Sequence, residues 1–401
     1  MKIPFSPPDI TNLELDEVMQ ALKSGWITTG PKTKELENSV ANYCGTQKAV
    51  CLNSATAALE LTLRVLGVGR GDEVITSSYT YTASASVISH VGAKIVLVDT
   101  AKDSYQMDYQ KLEKAITSKT KVIIPVDIAG KPCDYNKIQE IVENTKSKFK
   151  AKNNLQKAFN RIVILCDAAH SFGALYNGKK IGSIADFTCF SFHAVKNLTT
   201  AEGGAVTWKE KVGLDSEKLY SEYMLWSLHG QSKDALAKAK AGAWEYDIKK
   251  LGYKCNMTDT LAAIGLAQLK RYDKLLLRRK QIAEFYNKEF LGTRIKPLVH
   301  DDSECNSSYH LYLTRIDDAN ENIRNKIIVD MADRGIATNV HYKPLAMFSA
   351  YKELGFDIKN YPNAYSQYQN QISLPLHTLL TDKEILYITK NFKEIVESYF
   401  S

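Results

Sequence analysis

The sequence feature that most constrains the fold is an alternation of short apolar runs with helical patterns between about residues 35 and 210. The apolar runs read KAVCLN, DEVIT, AKIVLVD, KVIIPVD, RIVILCD and ADFTCFSF. Most of them are continuously apolar, which is typical of strands that are buried on both faces. Helical spacing lies between them, for example in ELENSVANYC and ATAALELTLRVLG. Because strands that alternate with helices form parallel sheets covered on both sides, the pattern predicts an α/β fold with a mostly parallel sheet.

The pattern changes beyond this region. Residues 209–275 are expected to be helical apart from one irregular stretch around GAWEYDIKKLGYKCNMTD. The run TLAAIGLAQLKRYDKLLLRRKQIAEFYNKEF predicts one helix of about thirty residues, long enough to link two domains or to lie along a partner subunit. Beyond residue 295, SSYHLYLTRI, NIRNKIIVDMADRG, ATNVHY and ISLPLH indicate an α+β region that ends in a helix from Asp382. We predict a large domain over residues 1–270 and a small C-terminal domain over 271–401, after the linking helix.

The composition excludes several classes of protein. Of the 401 residues, 44% are hydrophobic and 24% are charged, which excludes a disordered chain, a collagen and a small disulfide scaffold. The net charge of +7 is mild for this length; it weakly favours anionic ligands and does not by itself indicate nucleic acid. The lysine-rich stretch 138–160 carries no nucleic-acid-binding motif, so we interpret it as a solvated helix and loop.

Membrane insertion and export are not indicated either. No apolar run approaches the roughly 20 residues that a membrane helix needs, and MKIPFSPPDI lacks the pattern of a signal peptide. The seven cysteines are scattered without a CxxC pair, which is typical of a reducing compartment and is no zinc-ligand pattern. We therefore expect a cytoplasmic protein with no metal site and with neither nucleic acid nor membrane as a partner.

Two residues, taken together, point to pyridoxal phosphate. Asp167 directly follows the apolar run RIVILC, at the strand end where open parallel sheets bind ligands, and it could either bind a protonated ring nitrogen or cap the next helix. Lys196 lies in CFSFHAVKNLTTAEGGAV, where it is either a surface charge or an amine that forms a Schiff base. A carboxylate for the pyridinium nitrogen and a Schiff-base lysine are the pair that pyridoxal phosphate requires.

Two further segments add to this pair. In LNSATAALEL, the turn 53–56 between a strand and a helix offers backbone N–H groups and hydroxyls to a phosphate, or is an ordinary helix cap. In SSYTYTASAS, Tyr79 and Tyr81 follow a strand, where a ring could stack on the cofactor or pack in the core. The chain contains neither GxxxxGK[ST] nor GxGxxG, which disfavours a nucleoside triphosphate and a dinucleotide.

In this order, the motifs resemble those of the DegT-type family of nucleotide-sugar aminotransferases. The resemblance covers nearly the whole chain, through SGWITTGPKTKELENSVANYCG, SYTYTASASVISHVGAKIVLVDT, GKPCD, DAAHSFGALYNGKKIGSIADFTCFSFHAVKNLTTAEGGAV, GYKCNMTDTLAAIGLAQL, HYKPL and LPLH. It implies the fold type I of aspartate aminotransferase, with a large, mostly parallel-sheet cofactor domain and a smaller C-terminal α+β domain.

The resemblance also implies roles for individual residues. Lys196 would hold pyridoxal phosphate covalently, as an internal aldimine, and would move the proton between C4′ of the cofactor and the sugar carbon. Asp167 would keep the pyridine nitrogen protonated. His193 and Glu202 would support the loop of Lys196. The remaining cofactor-binding residues would be Tyr81 on the ring, His170 beside the ring hydroxyl, and Ser191 with the Ala55 and Thr56 backbone at the phosphate.

One motif departs from the common family pattern. Many members carry GYNYRM where this chain has GYKCNM, so that Lys254 replaces an Asn that reaches the partner subunit's phosphate and Asn256 replaces an Arg. The GYK form, with LWSLHGQSKDA and WEYDI, resembles the branch that aminates C4 of 4-keto nucleotide sugars. Lys254 is therefore expected to cross to the neighbouring phosphate in a homodimer with shared active sites, or else to be a solvent-facing lysine.

The resemblance implies a transfer of the amino group from glutamate to the keto carbon of a nucleotide-linked keto-deoxy sugar, at C4 by likeness to that branch. A family branch with His in place of the Schiff-base lysine dehydrates its substrate, so Lys196 favours transamination. His341, Tyr342 and Lys343 are expected to border the sugar site, although a core role for His341 is an equal alternative.

Two other functions stay open. One is another pyridoxal phosphate enzyme of this fold, an amino-acid aminotransferase or a lyase, for which Arg315 and Arg334 are the candidate carboxylate clamps. The other is a non-catalytic regulator that binds a sugar or the cofactor, which an intact Lys196 and Asp167 disfavour.

Overall fold

The computed structural model describes residues 1–211, 213–233 and 244–400. Its centre is a seven-stranded sheet in the order β1-β9-β8-β5-β4-β2-β3. These strands are β1 (Ala49–Leu52), β2 (Glu73–Ser77), β3 (Lys94–Val98), β4 (Thr120–Ile124), β5 (Val163–Asp167), β8 (Phe187–Ser191) and β9 (Gly204–Trp208).

Two smaller sheets accompany it, each with three antiparallel strands. One joins β11-β6-β7 and the other joins β10-β12-β13. Their strands are β6 (Leu175–Tyr176), β7 (Lys179–Lys180), β10 (Ile295–Pro297), β11 (Cys305–Asn306), β12 (Tyr312–Ile316) and β13 (Gln371–Leu374).

The α-helices that the structure describes cover the sheets and fill the C-terminal region. The first eight are α1 (Asn12–Lys23), α2 (Pro31–Cys44), α3 (Ala55–Val65), α4 (Ala83–His90), α5 (Tyr109–Ala115), α6 (Tyr135–Asn144), α7 (Asn154–Phe159) and α8 (Ser216–Ser227). The next six are α9 (Asp259–Lys270), α10 (Tyr272–Glu289), α11 (Glu321–Asp333), α12 (Ser349–Glu353), α13 (Pro362–Gln369) and α14 (Asp382–Ser398). None of them is long and apolar enough to cross a membrane.

The predicted α/β class is confirmed, and each of the six apolar runs overlaps a strand of the large sheet. Pairing is parallel among β3, β2, β4, β5 and β8, whereas β9 runs antiparallel to both β8 and β1. Strands β1, β2, β4 and β5 are buried at every residue, as the apolar runs predicted, and β9, which lies outside those runs, is buried in the same way. The division at residue 270 stays a prediction.

The single long helix predicted over residues 260–290 is wrong. Helices α9 and α10 are separated at Arg271, whose backbone leaves helical geometry (φ −117°, ψ 7°). The Arg271 guanidinium binds the N-terminal segment, at Asp9 Oδ1 (3.0 Å) and Glu14 Oε1 (2.8 Å). Apolar spacing continues on both sides of this one-residue break, so the periodicity could not reveal it. In the predicted helical stretch 209–275, residues 212 and 234–243 lie outside the described part, which also divides LWSLHGQSKDA.

Strand direction brings the ends of distant strands together. Because β9 is antiparallel to both of its neighbours, β1, β5 and β8 all run the same way and end at one edge of the sheet. Gly204 at the start of β9 lies opposite Leu52 on one side and opposite Ser191 on the other. The loops after Leu52, Asp167 and Ser191 therefore share this edge.

Candidate active site

Asp167 is a buried carboxylate at the end of β5. Its Oδ2 accepts a hydrogen bond from Ser84 Oγ (2.6 Å), and its Oδ1 accepts one from the Ala169 N–H (3.2 Å). Burial raises the pKa of Asp167, although both hydrogen bonds and the nearby Lys196 oppose the rise. The residues after Asp167 form turns rather than a helix, so it caps no helix there.

Lys196 lies in the loop between β8 and β9, and it is half-buried. Burial lowers its pKa to about 8, against the raising effect of the Asp167 charge. A lysine with this pKa holds a useful fraction of neutral amine near pH 7, which a solvated lysine does not. The backbone N–H of Lys196 donates to the carbonyl of His193 (2.9 Å). His193 Nε2 in turn lies 3.6 Å from Glu202 Oε1, at the exposed side of the same loop.

A small cavity opens beside Asp167. Its walls are Thr80, Tyr81, Val126, Asp167, Ala169, His170 and Tyr342. The structure separates the two tyrosines, of which the family resemblance favours Tyr81 for the ring. Tyr81 lines this cavity with 60% of its surface exposed, whereas Tyr79 is buried and donates to the His341 carbonyl (2.9 Å).

His170 is buried in the wall of this cavity with a defined tautomer. Its Nδ1 accepts from the Ala129 N–H (3.2 Å), so the proton is assigned to Nε2, which lies 3.1 Å from the Tyr342 hydroxyl. Burial and the charge of Lys196 lower the pKa of His170 well below its usual range. The ring is thus a neutral hydrogen-bond donor on the cavity side.

The first turn of α3 lies at the same edge of the sheet. Ser54 caps the helix by accepting from the Ala57 N–H (3.1 Å), and the N–H groups of Ala55 and Thr56 have no acceptor within the helix. A Cβ on Gly204 would lie 2.4 Å from the Ala55 nitrogen, so only glycine lets β9 start this close to the helix. Ser191 ends β8 directly opposite Gly204.

Lys254 is exposed and belongs to a segment that runs beside β1. The Asn53 N–H donates to the Cys255 carbonyl (2.8 Å), Leu52 pairs with Asn256, and Lys254 pairs with Leu228. Within its own chain, the Lys254 amine donates to the side-chain carbonyl of Asn256. Its predicted reach to a neighbouring subunit stays a prediction.

The C-terminal residues that were expected at the site differ in their contacts. Tyr342 lines the cavity, while His341 is held by Ser373 Oγ (2.8 Å from Nδ1) and stacks on Phe5 at 5.5 Å. Burial lowers the pKa of His341 to about 3. Lys343 lies over the ring of Phe348 at 5.2 Å.

Neither candidate clamp arginine lines the cavity. Arg315 binds Asp103 (2.9 Å) and Asn370 (3.2 Å), and Arg334 binds Asn391 (2.6 Å). The described residues also contain no group of three His, Cys, Asp or Glu side chains that could hold a metal ion.

Sequence patterns did not reveal two residues that the structure places here. Ser84, 83 residues before Asp167, binds its carboxylate, and His310 packs its ring on His170 at 4.4 Å. Ser84 lies within the quoted SSYTYTASAS and His310 within SSYHLYLTRI, but only the folded chain shows their partners.

Comparison with known proteins gives a consistent result. The model of the DegT/DnrJ/EryC1/StrS aminotransferase family matches residues 8–393. Spr1654 of Streptococcus pneumoniae, assigned as a sugar aminotransferase, has a TM-score of 0.97 and 57% identity, with 100% of this chain and 99% of that chain covered in its PMP form. A PLP form of Spr1654 is also solved.

Two curated relatives match over similar lengths. MJ1066 of Methanocaldococcus jannaschii is 40% identical over 400 residues, which cover 98% of this chain and 97% of MJ1066. The spore coat polysaccharide biosynthesis protein SpsC of Bacillus subtilis is 37% identical over 401 residues, again 98% of this chain and 97% of SpsC.

Proposed function

Because this chain belongs to the DegT/DnrJ/EryC1/StrS aminotransferase family, we propose that it transfers an amino group from glutamate to C4 of a nucleotide-linked 4-keto-deoxy sugar. At the coarser level it is a sugar aminotransferase, and its cofactor is pyridoxal phosphate. The glutamate donor, the nucleotide and the C4 position are the finer parts of the proposal.

The observation that carries the proposal is that Lys196 and Asp167 lie close enough for their charges to shift each other's pKa, and that Asp167 lines a cavity. These residues fit pyridoxal phosphate by their chemistry: an amine with a pKa of about 8, a buried carboxylate, the exposed ring of Tyr81 and the free N–H groups at the start of α3. Lys196 would bind the cofactor's aldehyde carbon, Asp167 its ring nitrogen, His170 its ring hydroxyl, and Ala55, Thr56 and Ser191 its phosphate.

The bound cofactor supplies a ring that accepts the electron pair released at the reacting carbon. Asp167 holds the proton on the ring nitrogen, and the charge of that N–H offsets the desolvation of the carboxylate. The amine of Lys196 takes and returns the proton at the reacting carbon, which its lowered pKa permits near neutral pH. His170 offers its Nε2 proton from the cavity wall.

The contacts of Arg315 and Arg334 give no support to an amino-acid pair of substrates. Both arginines were the candidate carboxylate clamps of that alternative, and both bind side chains outside the cavity walls. The net charge of +7 suits a diphosphate-linked substrate.

We further propose a homodimer in the cytoplasm, with sites shared between subunits. Helix α1 exposes apolar side chains at Leu15 and Leu22, and the segment before Lys254 exposes Trp244 (79%) and Leu251 (92%). A second copy would cover these side chains, and Lys254 would then reach the phosphate of the neighbouring site. All seven cysteines are free, as the cytoplasmic proposal requires.

The test follows the two halves of the reaction in the full-length protein. Absorption in the roughly 410–430 nm region with pyridoxal phosphate should shift to about 330 nm with glutamate, and return when a 4-keto nucleotide sugar is added. One amino sugar should form per 2-oxoglutarate, with a Lys196→Ala control. Turnover of 3-keto sugars alone would overturn the C4 position, and amination of 2-oxo acids alone would overturn the sugar substrate.

A further inference from the structure

His310 lies far from Lys196 in the chain and touches both of the elements that would position the cofactor. Its side chain is buried (4% exposed), its Nδ1 is 2.9 Å from Asn197 Oδ1, and its ring centroid is 4.4 Å from that of His170. We infer that His310 is a positioning residue that fixes the loop of Lys196 relative to the ring of His170. The inference rests on the proposed function, in which these two side chains meet the cofactor.

The hydrogen bonds define which nitrogen of His310 carries the proton. Asn197 Nδ2 donates to the Ser308 carbonyl (2.7 Å), which orients the amide and leaves Asn197 Oδ1 as an acceptor. His310 must therefore donate from Nδ1. Burial and the nearby charges of Lys196 and Arg279 lower the pKa of His310 well below its usual range. The ring is neutral, so its donor has a fixed direction.

The backbone of Ala129 links the two histidines. Its N–H donates to His170 Nδ1 (3.2 Å), and its carbonyl accepts from the His310 N–H (2.9 Å). Ala129 has a φ of +59°, which is uncommon for a residue other than glycine. The protons consequently lie on opposite nitrogens: Nδ1 in His310, toward Asn197, and Nε2 in His170, toward the cavity.

The segment 308–310 also holds His170 by its main chain. Ser308 Oγ donates to the His170 carbonyl (2.5 Å), and the Ser308 N–H donates to the Gly130 carbonyl (3.0 Å). From α10, Arg279 donates to the carbonyls of Tyr309 (3.4 Å) and His310 (3.3 Å). A segment anchored on several sides is a rigid support for the Asn197 amide, which follows Lys196 directly in the chain.

Two substitutions separate the functions of the imidazole. His310→Phe keeps a ring against His170 and removes the donor to Asn197. His310→Asn keeps an N–H donor near the position of Nδ1 and removes the ring. His300→Phe is the matched control, because His300 is also buried, with Nδ1 2.9 Å from Ser307 Oγ and its ring 4.9 Å from Tyr309. It makes none of the contacts described for Asn197 or His170.

The experiment titrates each cofactor-free, full-length variant with pyridoxal phosphate and records visible circular dichroism, which reports how rigidly the cofactor is oriented. His310→Phe should bind about tenfold more weakly, as expected for one buried hydrogen bond, and should lose at least half of the dichroic signal. His310→Asn should restore most of that signal, and His300→Phe should match the unmodified protein.

Several outcomes would overturn the inference. These are an unchanged His310→Phe variant, an equal loss in His300→Phe, which would show a general packing effect, or a His310→Asn variant as impaired as His310→Phe. Should His310→Phe not fold, Asn197→Ala removes the same hydrogen bond from its other end and should give the same loss. Since no sugar is used, a failed sugar assay with normal cofactor titrations would reject the proposed substrate and leave this inference standing.

Discussion

Two lysines of this chain occupy opposite kinds of surroundings. Lys196 is half-buried near a buried carboxylate, and burial within its own chain lowers its pKa to about 8. Lys254 is exposed, and the side chain to which it donates is a neighbouring asparagine. The comparison shows that the lowered pKa of Lys196 arises within one chain. The proposed phosphate contact of Lys254, in contrast, needs another subunit.

The largest expected effect comes from removing the buried lysine. Lys196→Ala should lower turnover by at least about 10³-fold, because the described walls of the cavity carry no amine that could replace its proton transfer and its bond to the cofactor. The melting temperature should change little, since the loop loses one side chain and no core volume. Stopped-flow turnover and calorimetry measure the two effects, and turnover close to that of the unmodified enzyme would remove Lys196 from the mechanism.

The next effect concerns the buried partner. Asp167→Asn keeps the shape of the side chain and removes the charge that holds the ring proton, so the rate should fall by about 10²-fold or more. Steady-state kinetics measure this loss, with Asp103→Asn as a control at an exposed carboxylate. A near-normal rate would mean that Asp167 is a structural acceptor for Ser84 and Ala169 only.

A smaller effect is expected at the exposed lysine. Lys254→Ala should weaken cofactor or substrate binding by about tenfold, the size expected for a charge-assisted hydrogen bond to phosphate. At cofactor and substrate concentrations too low to saturate Lys254→Ala, mixing it with Lys196→Ala should give about one quarter of the normal activity, because half of the randomly assembled dimers then hold one intact site. Binding titrations and the mixing assay test this prediction. No recovery of activity on mixing would contradict the proposal that Lys254 acts in the neighbouring subunit's site.

The smallest effect is a pH dependence that belongs to Lys196 alone. Only the neutral amine captures the cofactor's aldehyde, so the capture rate by the cofactor-free protein should rise with pH and level off above about 8. Between pH 7 and 8 the increase should be about fivefold. Rapid-mixing absorbance measures the profile. A midpoint near the usual lysine value of 10.5 would show that burial does not lower the pKa of Lys196.

Much of this arrangement was predictable from local sequence. The six apolar runs identified strands of the large sheet because strands buried on both faces consist mostly of consecutive apolar residues. Asp167 and Lys196 stood out because each follows such a run. The prediction failed where the deciding contact is remote, as at Arg271, whose break in the helix accompanies ion pairs with the N-terminal segment.

The supporting residues of the candidate site were less accessible to sequence reasoning. Ser84 lies 83 residues from Asp167, and His310 lies 113 residues from Asn197. The order of the strands and the placement of the segment 308–310 bring these pairs together. No local sequence pattern predicts that order or that placement. For Tyr79 and Tyr81, the residue pattern alone left the choice open and only the family resemblance favoured Tyr81; in the fold Tyr79 is buried and Tyr81 is exposed.

The antiparallel strand β9 has a consequence for the time at which the site forms during synthesis. Strand β1 emerges from the ribosome early, but its partner β9 begins only at Gly204. About 150 residues are therefore translated between the first turn of α3 and the strand that packs beside it. Asn256 and His310 follow later still. Contacts of such high sequence separation form slowly, and the support that His310 gives to the loop of Lys196 becomes available only about 100 residues after the last strand of the large sheet has been translated.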